Sequence, residues 1–465
     1  MGASDLPSPK PGTARCHGTP YSEMIAADTR DVPDILATDR YRYLGDEDLA
    51  VDRYVSAEHF KLEAERMWPK VWQMACRLEE IPYVGDYIVY EILNFSVIVV
   101  RTKEDQVKAY HNSCLHRGRQ LVTENGNGRA FTCPYHGFSW NIDGTSRYIP
   151  CEWDFPHLKD RDMHLPEVHL DIWQGFVFVN FDENPISLQE YLSPLDKDFA
   201  RWDLEGCTKI VHVAKIVRAN WKVVSEAFME SFHAMQTHPQ IAPFTADTNA
   251  RYDILGEHTN VNIAPMGEPS PFIYKSVEEK PSDQDILDTL TSLSGRVTSE
   301  EKLMLPAGQS VRAFMAESSR QSFQEEDGHD YSDRCDAEML DALVFNVFPN
   351  FSPWGGFPPN VVYRWRPNGW DVDSTIMEVM MLKRNPSNGE ELPVADINWL
   401  DEDQDWASAE EVGALGPIFD QDMANLSYVQ KGMKASHRKK VSLANYQEVR
   451  VRHFHQIMDR YLYDS

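Results

Sequence analysis

The feature that most constrains this chain is a pair of short cysteine–histidine motifs, NSCLHRGRQL at 112–121 and FTCPYHGFSW at 131–140. In the first motif Cys114 stands two residues before His116, and in the second Cys133 stands three residues before His136. Sixteen residues separate the two halves. Because thiolate and imidazole groups are the common protein ligands of transition metals, the spacing predicts two loops that present one metal site.

Two interpretations of this ligand set are open. Two Cys and two His can hold a tetrahedral zinc ion. The same four residues can hold a Rieske [2Fe–2S] cluster, because each half pairs one thiolate with one imidazole and two His then replace two Cys on one iron. Gly118 and Gly137 follow the two histidines and suit tight loops whose backbone N–H groups approach cluster sulfurs, which favours the cluster.

The residues around the motifs predict a small β-rich module. The stretch GDYIVYEILNFSVIVVR at 85–101 is rich in β-branched and aromatic residues, as strands are, and GFVFVNFD at 175–182 has the same character. We therefore predict a cluster-binding domain at 66–182, preceded by an N-terminal extension with a helical segment at 1–65 and followed by a larger domain at 183–465.

A second candidate metal site lies in ESFHAMQTHP at 230–239. The pattern predicts a helix that begins near Asn220, with Glu226, Glu230 and His233 on one face. On a straight helix His238 would not share the face of His233, but Pro239 forces the residue before it out of the helical region. Two His and a carboxylate from elsewhere would form the facial triad of a non-haem Fe(II) oxygenase, although a hydrogen-bonded core histidine is the simpler alternative.

These motifs together resemble the α subunits of Rieske non-haem iron oxygenases, the aromatic-ring-hydroxylating family. CLHRG, CPYHG and NWKVVSEAFMESFHAMQTH carry the resemblance, which extends from about residue 40 to the C-terminus. It implies an α+β fold with a β-rich Rieske domain and a catalytic domain of START/helix-grip type, in which a curved antiparallel sheet wraps on helices. It identifies Cys114, His116, Cys133 and His136 as cluster ligands and His233 and His238 as iron ligands.

The resemblance also supplies residues that the spacing alone does not. In the family the third iron ligand is an Asp eight residues before a glutamine, which Asp422 and Gln430 match, with Asp420 as the alternative. Most members have Asp where this chain has Glu230, and that group links the two metal sites across a subunit boundary. Family pocket positions correspond to the following residues: Ala227, Phe228, Ser231 and Ala234. Glu226 is expected to support the site from behind or to be solvated.

The activity implied is hydroxylation, dihydroxylation or oxidative dealkylation of an aromatic or bulky apolar molecule by O2, with a role in aromatic hydrocarbon breakdown. Electrons would come from NAD(P)H through a separate reductase or ferredoxin. The resemblance further implies a homotrimer, or an α3β3 assembly with a β subunit. Two other functions remain open, a Rieske electron carrier without oxygenase activity and a zinc-stabilised ligand-binding protein.

Charge and composition exclude other classes of partner. The net charge of −28 argues against nucleic acid, and no apolar run is long enough for a membrane helix. Seven scattered cysteines and the absence of an apolar signal core at residues 1–16 predict a flexible, non-secretory start and a reducing cytoplasm. The acidic segment 278–341 predicts a solvated insertion with a helix or two, whereas 101–150 has seven basic and four acidic residues and is a candidate docking face for an acidic donor.

Overall fold

The computed structural model describes residues 12, 15–275, 279–294, 303–357 and 360–464. The described residues divide into two compact units. The larger unit takes its residues from Met1–Lys61, Leu192–Arg366 and Val372–Ser465, and the smaller unit consists of Leu62–Tyr191 and Pro367–Asp371. The predicted flexible start at 1–16 falls mostly outside the described residues.

The described residues form twenty strands, divided between the two units. In chain order they are β1 (Leu49–Ala50), β2 (Gln73–Arg77), β3 (Asp86–Ile92), β4 (Phe95–Lys103), β5 (Gln106–His111), β6 (Gly126–Asn127), β7 (Ala130–Thr132), β8 (Ser139–Asn141), β9 (Ser146–Tyr148), β10 (Glu167–Trp173), β11 (Phe176–Asn180), β12 (Cys207–Val217), β13 (Arg251–Ile254), β14 (Thr259–Ala264), β15 (Ala342–Val347), β16 (Phe351–Gly355), β17 (Asn360–Asn368), β18 (Asp371–Arg384), β19 (Asn398–Leu400) and β20 (Lys440–Val441).

The helices lie mainly in the larger unit. They are α1 (Tyr21–Ala26), α2 (Asp34–Ala37), α3 (Asp52–Val55), α4 (Ala57–Arg66), α5 (Leu188–Leu192), α6 (Leu195–Asp198), α7 (Trp221–Glu226), α8 (Ala234–Thr237), α9 (Asp283–Ser294), α10 (Val311–Asp327), α11 (Asp336–Leu340), α12 (Leu415–Ala435) and α13 (Val449–Tyr463). The predicted α+β class, a small β-rich domain beside a domain of antiparallel strands and helices, is confirmed.

The smaller unit consists of two antiparallel sheets. The larger sheet has the order β2-β11-β10-β5-β4-β3-β6, and β7, β8 and β9 form the second sheet. A buried cluster between them includes Ile98 and Val100 of β4, Phe131 of β7 and Trp140 of β8, together with both motif cysteines. The hydrophobic residues predicted as strands thus bury the base of the two motif loops.

The larger unit is organised around one extended sheet. Within the described residues its order is β13-β14-β15-β16-β17-β18-β12-β19. β19 pairs with β12 in parallel, whereas β12 pairs with β18 antiparallel. Residues of β12, β17 and β18 form a buried core with α7 and α12, so the helix that precedes the histidine segment packs in the same core as the helix that carries Asp422.

The acidic segment 278–341 contains helices, as predicted, but its described part is not simply solvated. α9 and α10 bury apolar side chains such as Leu287, Leu290 and Met315 against Phe244 and Leu340. Several acidic residues of these helices, such as Asp283, Asp285 and Glu325, are exposed, so charge counted over the whole segment hides the apolar stripe. The predicted solvated stretch SEEK at 299–302 lies outside the described residues.

The described helices include none that is both long enough and apolar enough to span a bilayer. All seven cysteines are free of disulfide bonds, as the sequence predicts, and Cys114 and Cys133 are both buried.

Candidate metal centres

The segment that carries His233 and His238 forms two short helices instead of the predicted single helix. α7 begins after Asn220, whose side chain accepts a hydrogen bond from the Lys222 N–H, and this cap agrees with the prediction. α7 ends at Glu226, and α8 resumes only at Ala234. A continuous helix over these residues was therefore a wrong prediction.

The helix is interrupted between α7 and α8 because two backbone N–H groups bond to side-chain oxygens. The N–H of Ser231 donates to the hydroxyl of Tyr252 at 3.1 Å, and the N–H of His233 donates to Oε2 of Glu230 at 3.0 Å. Because these donors use side-chain acceptors, the regular i to i−4 pattern cannot continue through the segment. After α8, His238 takes φ −123° and ψ 56°, which lies outside the helical region that the following proline disfavours.

Three side chains converge at this point, as the ligand prediction requires. Nε2 of His238 lies 3.0 Å from Oδ1 of Asp422, and Nε2 of His233 lies 3.4 Å from the same oxygen. One ligand atom from each residue lies within 4.8 Å of the other two. His238 and Asp422 are buried, whereas the His233 side chain keeps 28% of its surface exposed. The group can therefore surround a cation while one side stays open.

α12 supplies Asp422 and separates it from the alternative carboxylate. The buried face of this helix carries Phe419, Asp422, Leu426 and Gln430, at helical spacing. Asp420 points elsewhere and accepts hydrogen bonds from the N–H groups of Trp406 and Ala407. Of the two predicted aspartates, only Asp422 lies with the histidines.

The charge balance of the three residues favours a positive charge between them. Burial lowers the pKa of His233, but hydrogen bonds with Asp422 and Glu230 outweigh burial and raise the pKa to about 10. Burial raises the pKa of Asp422, but its hydrogen bonds with His233 and His238 leave that pKa below its usual value. The donor set, two imidazoles and a carboxylate that together stabilise a cation, fits a ferrous ion.

Each imidazole has a partner on its other nitrogen. Nδ1 of His233 lies 2.7 Å from Oε1 of Glu230, and Nδ1 of His238 lies 2.8 Å from Oε1 of Gln421. Gln240 in turn bonds to Gln421. Sequence reasoning identified Glu230 but missed both glutamines, although their positions beside His238 and Asp422 were a usable signal.

Glu226 is neither solvated nor behind the metal ligands, so that expectation is wrong. Its carboxyl group bonds to the hydroxyl of Tyr54 at 3.0 Å and to Nε2 of His455 at 2.8 Å. Because α7 ends at Glu226, the geometry that would have put Glu226 and His233 on one face does not exist.

A cavity of about 600 Å³ lies beside the three converging residues, and His233, His238 and Asp422 belong to its wall. All four predicted pocket residues also line it, namely Ala227, Phe228, Ser231 and Ala234. The sheet and α12 also contribute to the lining, which includes Val344, Trp354, Tyr363, Met381 and Phe419. Its volume suits a small organic molecule.

The two motif loops of the smaller unit have matching backbone geometry. The N–H of Gly118 donates to the carbonyl of Cys114, and the N–H of Gly137 donates to the carbonyl of Cys133, both at 2.9 Å. Both glycines have positive φ, 75° and 78°, which explains why glycine follows each histidine. The sequence spacing thus folds into two equivalent loops.

The four predicted cluster ligands face one another across these loops. The rings of His116 and His136 lie 4.7 Å apart, and His116 stacks on Phe138 at 4.6 Å. Burial raises the pKa of Cys133, but the backbone N–H groups of Tyr135 and His136 and the Cys114 thiol outweigh it and lower that pKa. N–H groups directed at a thiolate suit a cluster sulfur ligand, so the residues fit a [2Fe–2S] group.

Comparison with protein families gives the class of the chain. Residues 196–464 match the model of the ring hydroxylating alpha subunit (catalytic domain), and residues 71–159 match the Rieske [2Fe-2S] domain. The chain belongs to the family of ring hydroxylating α subunits, the Rieske non-haem iron oxygenases, as the sequence motifs predict.

Individual relatives place the chain within a varied family. The glycine betaine monooxygenase oxygenase subunit of Pseudomonas aeruginosa (strain UCBPP-PA14) is 30% identical over 192 residues, which are 40% of this chain and 44% of that protein. The matched region thus spans less than half of that relative. A quaternary ammonium Rieske monooxygenase in complex with L-carnitine has a TM-score of 0.61 at 16% identity, covering 89% of this chain and 95% of that chain. Naphthalene 1,2-dioxygenase from Rhodococcus sp. bound to indole has a TM-score of 0.60 at 19% identity, covering 90% and 95%.

Proposed function

We propose that this protein is the terminal component of a Rieske oxygenase, with a cluster domain at 66–182, a mononuclear iron domain at 183–465 and an N-terminal extension at 1–65. The observation that carries the proposal is the convergence of His233, His238 and Asp422 at the wall of a cavity. Two His and one carboxylate are the facial ligand set that leaves coordination positions free. An electron carrier would need neither these residues nor the cavity.

The candidate ligands of the cluster and of the mononuclear iron are separate sets of residues. Cys114, His116, Cys133 and His136 would hold the [2Fe–2S] cluster, and His233, His238 and Asp422 would hold Fe(II). When bound, the cluster supplies electrons singly and the ferrous ion supplies open positions for O2. The net reaction consumes two electrons and two protons per O2, and it yields either a hydroxylated product and water or a dihydroxylated product.

The chain's own residues orient the ligands and shape the cavity. Glu230 and Gln421 hold the imidazoles of His233 and His238 by their outer nitrogens. Phe228, Tyr363 and neighbouring apolar groups exclude water from the space beside them. We also propose that Glu230 links two subunits, as the usual Asp does in the family.

The lining favours a neutral aromatic or otherwise apolar substrate. No lysine or arginine is found among the described residues that line the cavity, so a carboxylate such as that of a betaine would have no cationic partner. The carboxylates of the lining already have partners, since Asp341 pairs with Arg312 and the other two bond to histidines. Burying an unpaired charge is costly, which disfavours zwitterionic substrates here.

Oxidative removal of an N-methyl group from a quaternary ammonium compound is a second candidate. Its support is the relatives that act on glycine betaine and carnitine, together with aromatic side chains at the cavity wall. The rings of Phe228 and Tyr363 lie 4.8 Å apart, and ring faces can hold a quaternary ammonium group. A cation without a carboxylate would fit this wall better than carnitine.

The electron donor and the assembly follow from the same proposal. Arg117, Arg119 and Arg147 are exposed in the cluster-bearing segment, as is Tyr135, so we propose that an acidic ferredoxin or reductase docks there. A homotrimer, or an α3β3 assembly, is the proposed oligomer. Sedimentation and the salt dependence of reduction rates test these two statements.

A spectroscopic and single-turnover experiment tests the function. Dithionite reduction should give a Rieske-type EPR signal that is lost in Cys114→Ser. The reduced protein, mixed with O2 and either a neutral two-ring aromatic or a betaine, should oxidise the aromatic, and His233→Ala should abolish product while keeping the signal. A colourless zinc protein without labile sulfide would overturn the proposal. Product formation by His233→Ala would overturn the iron site, and oxidation of the betaine alone would overturn the substrate class.

A further inference from the structure

Two glutamines join the chain segments that carry the mononuclear site. Nε2 of Gln240 donates to Oε1 of Gln421 at 2.7 Å, and Nε2 of Gln421 donates back to Oε1 of Gln240 at 3.3 Å. Gln240 stands two residues after His238, and Gln421 directly precedes Asp422. This amide pair therefore links the histidine segment to α12 through side chains that are not themselves candidate ligands.

Gln421 also selects a tautomer of His238. Its Oε1 accepts a hydrogen bond from Nδ1 of His238 at 2.8 Å. A neutral imidazole that donates from Nδ1 keeps its lone pair on Nε2. That Nε2 is the atom that lies 3.0 Å from Asp422 Oδ1. Gln240 donates to the same Oε1 atom, so the Gln421 amide must keep its oxygen directed at both Nδ1 of His238 and Nε2 of Gln240.

The Nδ1 atoms of the two histidines have hydrogen-bond partners of different charge. His233 has a carboxylate partner in Glu230, at 2.7 Å, whereas His238 has the neutral amide of Gln421. Hydrogen bonds to an ionised acceptor are stronger than those to a neutral one, and the outer partner of a ligating imidazole raises its basicity. His238 therefore has the weaker outer hydrogen bond of the pair, and its orientation depends on Gln421.

We propose that Gln421, held by Gln240, is a positioning residue that selects the metal-binding tautomer of His238 and limits the affinity of the mononuclear site. This rests on the proposed function, since the three converging residues must bind a metal. A residue with a purely structural role would lower affinity whenever it is replaced. A positioning residue that limits ligand strength gives opposite effects for an apolar and an anionic replacement.

The test measures ferrous affinity by anaerobic chelator competition in full-length protein that keeps its cluster and lacks the mononuclear metal. Gln421→Leu should weaken binding by roughly 10–100-fold, the usual effect of losing such a partner. Gln421→Glu should tighten binding, because it gives His238 the kind of partner that His233 has. Gln240→Leu should weaken binding less than Gln421→Leu, since it only loosens the Gln421 amide.

Controls separate this effect from charge and from folding. Ala424→Glu adds a carboxylate to the exposed face of α12, about one turn beyond Gln421, and should leave affinity within about twofold because the new carboxylate points to solvent. Cluster absorbance and the unfolding midpoint report the fold of each variant. Equal affinity in Gln421→Leu and Gln421→Glu, or tightening in Ala424→Glu as large as in Gln421→Glu, would overturn the inference.

The same assay distinguishes failure of the inference from failure of the function. His233→Ala and Asp422→Ala should abolish ferrous binding if the three residues form the site. If they abolish binding while both Gln421 variants behave as the wild type, the metal site stands and only the positioning role is wrong. If they leave binding unchanged, both proposals are wrong.

Discussion

Glu226 and His455 form a largely buried hydrogen bond in which Oε1 of the carboxyl group lies 2.8 Å from Nε2 of the ring. The hydroxyl of Tyr54 lies 3.0 Å from the other carboxyl oxygen and 2.9 Å from the same ring nitrogen. Burial raises the pKa of Glu226 to about 8 and lowers the pKa of His455 well below its usual value. At neutral pH, α3, α7 and α13 are thus joined by a protonated acid and a neutral imidazole.

This cluster predicts that Glu226→Gln changes how stability depends on pH. The pKa of Glu226 rises from 4.5 to about 8 on folding, so its contribution is fully present below pH 4.5 and is lost as the pH rises towards 8. Glutamine keeps the hydrogen bonds but does not titrate. In urea unfolding, we expect the wild type to lose about 1 kcal/mol per pH unit relative to Glu226→Gln within this window.

The exposed Glu391 provides the control, because Glu391→Gln should follow the wild type at every pH. A Glu226–His455 ion pair would give the opposite slope, with the wild type gaining on Glu226→Gln as the pH rises through the acid range. That result would contradict the neutral cluster.

Two further buried histidines predict sensitivity to acid. Burial lowers the pKa of both His258 and His453 from 6.5 to about 3, and nearby arginines such as Arg460 act in the same direction. Their folded pKa values are depressed, so the stability is present above pH 6.5 and is lost as the pH falls towards 3. We expect His453→Gln, which keeps an acceptor for Asn260, to flatten this loss by about 1 kcal/mol per pH unit. Unfolding curves between pH 4 and 7 that run parallel for both proteins would contradict this.

The metal-site motifs could be predicted from sequence more fully than the buried side-chain clusters around Glu226 and Ser231. The loops of Cys114 and Cys133, and the departure of His238 from the helix before Pro239, depend on neighbours within a few residues. The break after Glu226 could not be predicted, because the acceptor for the Ser231 N–H is a hydroxyl 21 residues away. The partners of Glu226 are 172 and 229 residues away. Local backbone chemistry was therefore predictable, and pairings made by the fold were not.

Asp422 is a second residue whose role the local sequence alone did not reveal. Nothing in the local pattern distinguishes it from Asp420, and family resemblance alone selected it. The fold separates them by two positions on α12, because residues two apart on a helix point to different faces. Asp422 lies on the buried face and Asp420 does not.

A buried ion group in the sheet predicts a large stability effect. Both oxygens of Glu378 lie 2.6 Å from the guanidinium group of Arg364, and Arg366 lies 3.2 Å away. Burial alone would raise the pKa of Glu378, but the two arginines outweigh it and lower the pKa well below its usual value. Glu378→Gln removes the buried carboxylate that both guanidinium groups contact, so we expect a loss of about 3–5 kcal/mol in urea unfolding.

The exposed pair of Glu402 and Arg218 is a matched control. Its shortest distance is also 2.6 Å, but its side chains keep 41% and 58% of their surface exposed. Glu402→Gln should therefore cost less than about 1 kcal/mol. Similar losses for the two substitutions would show that burial does not decide the strength of these pairs.

The cavity wall predicts a change of substrate size through Val344. In β15, Val344 lies in register between Asn262 of β14 and Trp354 of β16, and all three line the cavity. Val344→Phe adds a ring to this wall, so single-turnover yield should fall at least tenfold for a two-ring substrate and change little for a one-ring substrate.

Val344→Ala should enlarge the cavity and favour the larger substrate. The ferrous content should stay the same in both variants, because Val344 lies on β15 and the candidate ligands lie on α12 and beside α8. An equal loss for both substrates would show that the substitution disturbs the metal site and that Val344 does not set the size limit.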